Sequence, residues 1–242
     1  MATSCEVCPL RTQPLFTTSS ADEIRFMRRF KSGELTVEPG ATILMEGARA
    51  PQLYTTLRGL GIRHKTLPSG RRQVINFVFP GDFLGLQAGV MGEMQHSVEA
   101  TTRMTLCVFE RRDLWNLFRH SVERAFDLSW LAAVEEHFLG EALTTVGQRS
   151  ATERVAWALV RIYLRGQALG LTGREGMHLP YKQQDLADAL GLSLVHTNKT
   201  LAKMRARGIA TWSGGQLRVP DIAALAEVAE MEIEEPQQRP LI

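Results

Sequence analysis

Residues 177–219 read MHLPYKQQDLADALGLSLVHTNKTLAKMRARGIATWSGGQLRV, a pattern of two short helices around a tight turn, a third amphipathic segment and a glycine-bearing hairpin. Gln184, Leu186, Ala187, Ala189 and Leu190 supply one compact helical face, and Gly191 stands where a left-handed residue ends a helix at least cost. Ser193 is placed to cap the next helix, in which Leu194, Thr197, Leu201 and Met204 recur at the spacing that buries one side. The opposite side carries His196, Asn198, Lys199, Lys203, Arg205 and Arg207. These are donors suited to base edges near the helix start and to phosphates further along. From Trp212 to Val219 the chain reads as strand, two-glycine turn and strand, stopped by Pro220. A solvated face on an ordinary helical hairpin would explain the charges alone. It does not explain helix, turn, helix and hairpin in that order, the layout of a winged helix-turn-helix that sets a basic helix in a major groove. His196, Asn198 and Lys199 are then the candidate base readers, Lys203 and Arg205 candidate phosphate contacts along the helix, and Ser193 and Lys182 further phosphate contacts.

The net charge of +2 is too small to make the whole molecule a polyanion binder, so where the charge sits matters more. Between 149 and 218 eleven Lys and Arg face four Asp and Glu, which makes the C-terminal part locally basic. Beyond it, Glu227, Glu230, Glu232, Glu234 and Glu235 before Pro236 read as an acidic helix end that fades into a disordered terminus. The chain of 242 residues exceeds the usual single domain of about 100–200, so a sizeable first domain is expected ahead of the helix-turn-helix. No run approaches the roughly 18 apolar residues of a membrane span and no signal-peptide layout opens the chain, so a cytoplasmic protein without a membrane partner is expected. Three cysteines, an odd number, argue against a secreted disulfide scaffold. With no glycine-rich phosphate loop, nucleophile elbow or paired-histidine metalloprotease spacing, an enzyme is not expected.

Between about 30 and 110 the chain breaks into short runs rich in β-branched and aromatic residues, including 42–45, 53–57, 61–65, 73–79 and 104–109. Glu38-Pro39-Gly40, Glu46-Gly47, Arg58-Gly59, Pro68-Ser69-Gly70, Pro80-Gly81-Asp82 and Met91-Gly92 punctuate them, as in jelly rolls. From 112 to 147 no proline intervenes, and apolar residues recur at alternating three- and four-residue steps from Leu114 to Val146, suiting either a coiled-coil seam or a helix lying on its own barrel. Gly140, interior to this run, reads as a bend or a close approach.

The order of Pro39-Gly40, Glu46-Gly47, Leu57-x-Gly59, Leu67-Pro68-Ser69-Gly70-Arg71-Arg72-Gln73, Pro80-Gly81-Asp82-Phe83-Leu84-Gly85 and the terminal winged helix resembles the Crp/Fnr family of bacterial transcription regulators, nearer its Fnr branch. The resemblance spans nearly the whole chain and implies an α+β protein: an N-terminal cyclic-nucleotide-binding-like β-roll (jelly roll), a long dimerisation helix and a C-terminal winged helix-turn-helix. The corresponding divisions are a cysteine-bearing segment over 1–20, the β-roll over 21–111, the helix over 112–147, the DNA-binding domain over 148–221, and a helix with an acidic tail over 222–242. The implied function is sequence-specific regulation of transcription by a homodimer on an inverted repeat, with double-stranded DNA, a second copy and RNA polymerase as partners. The other reading is an effector-binding or protein-interaction module whose β-roll holds a ligand and which has no specific DNA target.

The signal is less legible. Cyclic-AMP receptors of this family carry a Glu just after the glycine and an Arg-Ser pair about ten residues on; here Gly85-Leu86 and His96-Ser97 stand in those places. Leu86 cannot accept a hydroxyl and a neutral His96 is a poor partner for a buried phosphate, so cyclic nucleotide is not the expected effector. The Fnr branch holds an iron–sulfur cluster on cysteines, and Cys5, Cys8 and Cys107 match part of that set, while the next expected ligand falls on Pro14. A fourth ligand would come from elsewhere, with His64 and His96 candidates by type alone. A cluster or metal, a Cys5–Cys8 redox pair and ordinary core or terminal cysteines all remain open. In the recognition helix, Fnr-like Glu, Ser and Arg match Val195, Asn198 and Lys199, and Crp-like Arg, Glu and Arg match Leu194, Val195 and Lys199, so at least one base of the half-site is expected to differ.

Overall fold

The short runs punctuated by glycine turns fold as strands β1 (Lys31–Val37), β2 (Thr42–Leu44), β3 (Gln52–Arg58), β4 (Gly61–Thr66), β5 (Arg72–Val78), β6 (Phe83–Leu84), β7 (Ser97–Ala100) and β8 (Met104–Glu110). They form two four-stranded sheets, ordered β1-β8-β3-β6 and β2-β7-β4-β5. The computed structural model describes every residue except Met1, Glu235 and Pro236. Strand periodicity decides where the core lies. Met104, Leu106 and Val108 of β8 and Tyr54 of β3 point into a cluster shared with Leu44, Val78, Val98 and Ala100 from the other sheet. Phe109 and Leu53 face the opposite way, against α1 (Ala21–Phe30), α3 (Leu114–His120) and the start of α4 (Val122–Gln148), through Met27, Phe30, Leu117, Leu128 and Leu131. A short helix, α2 (Leu86–Met91), joins β6 to β7. Each fully buried Leu or Phe contributes about 1.5–3 kcal/mol, so the first β-sheet is anchored on both faces.

The helix expected over 112–147 is two helices. Ser121 adopts an extended conformation (φ −146°), and its hydroxyl accepts a 3.4 Å bond from the Arg124 N–H. It thereby ends α3 and starts α4 in the manner of an N-cap serine. The interruption turns Leu114 and Leu117 into the same core as Leu128 and Leu131. Gly140, where a bend or close approach was expected, lies inside α4 with open space where a Cβ would stand.

Two compact units emerge, one of Met1–Leu67, Asn76–Glu135 and Gln238–Ile242, the other of Pro68–Ile75 and Glu136–Gln237. The second contains α5 (Ala151–Ala168), β9 (Thr172–Gly173), β10 (Gly176–His178), α6 (Gln183–Leu190), α7 (Leu194–Ala206), β11 (Thr211–Ser213), β12 (Gln216–Arg218) and α8 (Ile222–Val228). Among the described residues no third amphipathic segment stands between α7 and β11; ahead of α6, Met177 and His178 belong to β10, which pairs with β12 in a sheet ordered β11-β12-β10-β9. Val155, Leu159, Met177, Leu186, Leu190, Leu201, Met204, Leu217 and Leu225 are buried in this unit. No described helix is long and apolar enough to cross a membrane.

The acidic end is also corrected. The helix α8 stops at Val228, before Glu230, Glu232 and Glu234, while Glu235 and Pro236 lie outside the described residues. Further along, Ile242 is 5% exposed and belongs to the core of the first unit, so the end of the described chain is ordered against that core.

Candidate DNA-reading surface and cysteine pocket

Gly191 ends α6 in the left-handed conformation (φ 63°), and the Leu192 N–H closes the turn on the Ala187 carbonyl at 3.0 Å. Ser193 follows as the cap of α7, its hydroxyl accepting from the His196 N–H at 3.2 Å. From that start Thr197, Thr200, Leu201 and Met204 are buried, so the opposite side of α7 is fixed in solvent by packing. His196, Asn198, Lys199, Lys203 and Arg205 all stand exposed on it, together with Ser193 at its base. Leu194, expected on the buried side, is 38% exposed and opens the solvent side beside Val195. Lys182 is exposed at the start of α6 rather than on α7. The hairpin β11–β12 turns on Gly214 and Gly215, both at positive φ (58° and 73°), the two-residue geometry whose twist matches paired strands.

The first helix differs from its expected face. Gln184 is exposed, and Asp185 takes a buried place instead. Asp185 accepts from the Lys182 N–H at 2.8 Å and pairs with Arg72, which also reaches Asp188 at 2.9 Å. Both carboxylates hold the Arg72 guanidinium's pKa above its ordinary value, although its partial burial opposes them. No sequence signal marked Arg72 as the partner of a helix more than a hundred residues away.

A second exposed surface runs along α4. Arg124, Leu128, Leu131 and Thr145 are buried, whereas Val122, Phe126 and Leu143 are 75, 68 and 75% exposed. Positions 122, 126, 129, 133, 136, 140 and 143 follow one another at alternating four- and three-residue steps, the heptad spacing of a helix seam, and all are exposed.

The three cysteines converge. A 3-10 turn over Cys5–Val7 and another over Pro9–Thr12 carry Cys5 and Cys8 onto the outer face of the first sheet, where Cys107 projects from the central strand β8. All three line one cavity of about 50 Å³ with Leu10, Met27 and Phe109, room for a few water molecules. Burial pushes the Cys107 thiol up to about 11 despite the opposing charge of Lys31, and burial likewise raises Cys5. Both are therefore protonated near neutral pH. Lys31 in turn is engaged by the Thr3 carbonyl and by Glu34, each at 2.7 Å.

This donor set does not fit an iron–sulfur cluster or a metal ion. Such a cluster is ordinarily held by four protein ligands; the cavity offers three thiols, and the carboxylate that lines it, Glu23, is already engaged by the Ser20 N–H and by Arg124. Among the described residues no group of three or more His, Cys, Asp or Glu is arranged to hold a metal, and neither His64 nor His96 lines the cavity. The place of the family's phosphate-binding residues is likewise altered: Gly85 is the left-handed cap of α2, Leu86 its first residue, and burial with the nearby Arg63 lowers His96 to about 4.

Two family models match parts of this chain. A Crp-like helix-turn-helix domain matches residues 153–228, and a cyclic nucleotide-binding domain matches residues 34–121. The nitrogen fixation regulation protein FixK of Rhizobium meliloti is 32% identical over 72% of this chain and 76% of its own length. The transcriptional activator protein FnrL of Cereibacter sphaeroides is 24% identical over 93% of this chain and 91% of its own. The solved structure of FixK2 from Bradyrhizobium japonicum superposes with a TM-score of 0.74 at 26% identity, covering 84% of this chain and 98% of that one. With its β-roll, its helix-turn-helix and these relatives, the chain belongs to the Crp/Fnr family, on the Fnr side, and is a DNA-binding transcription regulator of that type.

Proposed function

We propose that this regulator acts in the cytoplasm as a homodimer on an inverted repeat, reading bases with His196, Asn198 and Lys199 and holding phosphates with Lys203, Arg205, Ser193 and Lys182. The observation that carries the reading is the solvent side of α7, where packing of Thr197, Thr200, Leu201 and Met204 leaves those donors unburied. Asn can pair bidentately with adenine and Lys can reach guanine O6 or N7, whereas Val195 has no acceptor for a cytosine amino group. The seam on α4 is the surface a second copy would cover, and open space at Gly140 would let two helices approach closely. RNA polymerase is the further partner of a dimer so placed.

A sequence-selection screen followed by titration of the selected duplex tests the assignment. Asn198→Ala is expected to cost about 1–3 kcal/mol at one base pair and relax the preference there. Lys203→Ala should instead weaken all duplexes alike and reduce the salt dependence by about one counterion. A protein that binds DNA with no site preference would return the reading to an effector-binding or protein-interaction module.

For the input, the reading is thiol chemistry at the cysteine pocket in place of a cluster or a cyclic nucleotide. Its support is that Cys5, Cys8 and Cys107, all the cysteines of the chain, line one cavity. Two thiols there would give up two protons and two electrons to a peroxide, leaving one disulfide and water. Anaerobic purification with iron, sulfide and zinc assay is expected to yield a colourless, metal-free protein; a chromophore with stoichiometric iron would overturn this.

A further inference from the structure

Residues 238–242 follow the winged domain in sequence yet are built into the first unit. Arg239 forms a parallel bridge with Phe16: its N–H donates to the Leu15 carbonyl at 2.9 Å, and its carbonyl accepts from the Thr17 N–H at 3.0 Å. Its guanidinium pairs with Asp82 at 3.1 Å, both side chains being only 12 and 10% exposed. Asp82 is itself fixed, its other oxygen accepting from the Phe79 N–H at 2.8 Å. Its neighbour Gly81 receives the ring of Phe16 so closely that a Cβ there would stand 2.2 Å from Cζ. The Pro80-Gly81-Asp82 turn thus docks both the N-terminal arm and the last residues.

Further on, the segment reaches the thiols. The Leu241 carbonyl accepts from Arg124 at 3.2 Å, and the Ile242 carbonyl accepts from the Thr55 hydroxyl at 2.5 Å. Thr55 is the register partner of Cys107 on the adjacent strand, so its bond sets Ile242 beside that cysteine. Leu241 and Ile242 wall the cavity that Cys5, Cys8 and Cys107 line.

We propose that residues 239–242 are a latch on the cysteine pocket, shielding the Cys107 thiol from oxidants and soft electrophiles while seated and exposing it when withdrawn. The latch rests on geometry alone and stands whether or not thiol chemistry is the regulator's input. While seated, Leu241 and Ile242 form part of the wall that leaves the Cys107 thiol only partly exposed.

The test is residue-resolved labelling of the full-length protein with a small maleimide, read by mass spectrometry under native conditions. Arg239→Ala removes the Asp82 pair, and a chain ending at Gln237 removes the segment. Cys107 labelling is expected to accelerate on the order of tenfold or more in both, as local opening becomes easier than global unfolding. A rate equal to that of the unaltered protein in Arg239→Ala would overturn the latch. Hydrogen exchange guards against mere unfolding. In Arg239→Ala the Thr17 amide, which donates to the Arg239 carbonyl, should exchange faster while amides of β3 and β8 stay protected. Uniform loss of protection across the sheet would show that the segment only holds the fold together, and would equally overturn it.

Discussion

Phe126→Glu is expected to give a monomer in sedimentation equilibrium and to lower affinity for a two-half-site duplex by about 10²–10⁴-fold, the range that bivalency supplies. One side of α4 is already satisfied within the chain. Arg124, 5% exposed at its side chain, pairs with Glu23 and with Asp127 at 2.8 Å, and Leu128 and Leu131 fill the core beside it. The other side carries Val122, Phe126 and Leu143 at heptad steps with nothing covering them. A carboxylate introduced among exposed residues changes the monomer's own stability by no more than about 0.5 kcal/mol. In a helix seam, by contrast, two symmetry-related charges would be buried close together, and a symmetric dimer presents each substitution twice. Affinity for a duplex with one half-site should barely move, because a monomer still offers an intact α7. Unchanged sedimentation would remove the seam on α4 as the interface.

How much of this was readable in the chain depends on how local the cause is. The helix-turn-helix was legible since Gly191, Ser193 and the periodicity of α7 each act within a few residues, and the β-roll since its turns are punctuated by glycine. The helices α1 and α5 lie outside the patterns that mark the helix-turn-helix and the β-roll, yet each carries a local signal of its own, the capping boxes of Ser20 with Glu23 and Ser150 with Glu153. The break at Ser121 was harder, because a serine between two good helix segments is a cap only when both flanking helices find one core. Arg72 with Asp185 and Asp188, and Arg239 with Asp82, had no local signature at all. Such pairs are set by topology, and sequence separation hides them. The seat of residues 238–242 follows from the same cause: an acidic, proline-bearing approach reads as a terminus, while the apolar pair Leu241 and Ile242 is too short to register as a core element.

The second large effect concerns His96, and its sign follows from its surroundings. Burial and then the Arg63 guanidinium hold its pKa at about 4 instead of 6.5, with Lys65 and His64 pushing the same way and Glu46 opposing. Arg63 cannot move aside, since it is 8% exposed, donates to the Phe83 carbonyl at 3.1 Å and pairs with Glu135 at 2.9 Å. Between pH 6.5 and about 4 the unfolded chain therefore binds a proton at this position that the folded chain refuses. Stability from this group is complete above pH 6.5 and falls as the pH drops toward 4, by up to about 3 kcal/mol. Urea unfolding at pH 7.5 and pH 4.5 should show the unaltered protein losing more than His96→Gln by most of that amount. Glu23 and Glu34, whose carboxyls are held below their ordinary range, also lose stability in acid, but they do so in both proteins and cancel from the difference. Equal losses would mean that His96 is solvated enough to titrate normally. The same physics bears on the effector: a histidine that stays neutral at pH 7 offers no cation to a cyclic phosphate. His96→Arg should not restore one, because it would set a second guanidinium beside Arg63 and destabilise the β-roll at every pH.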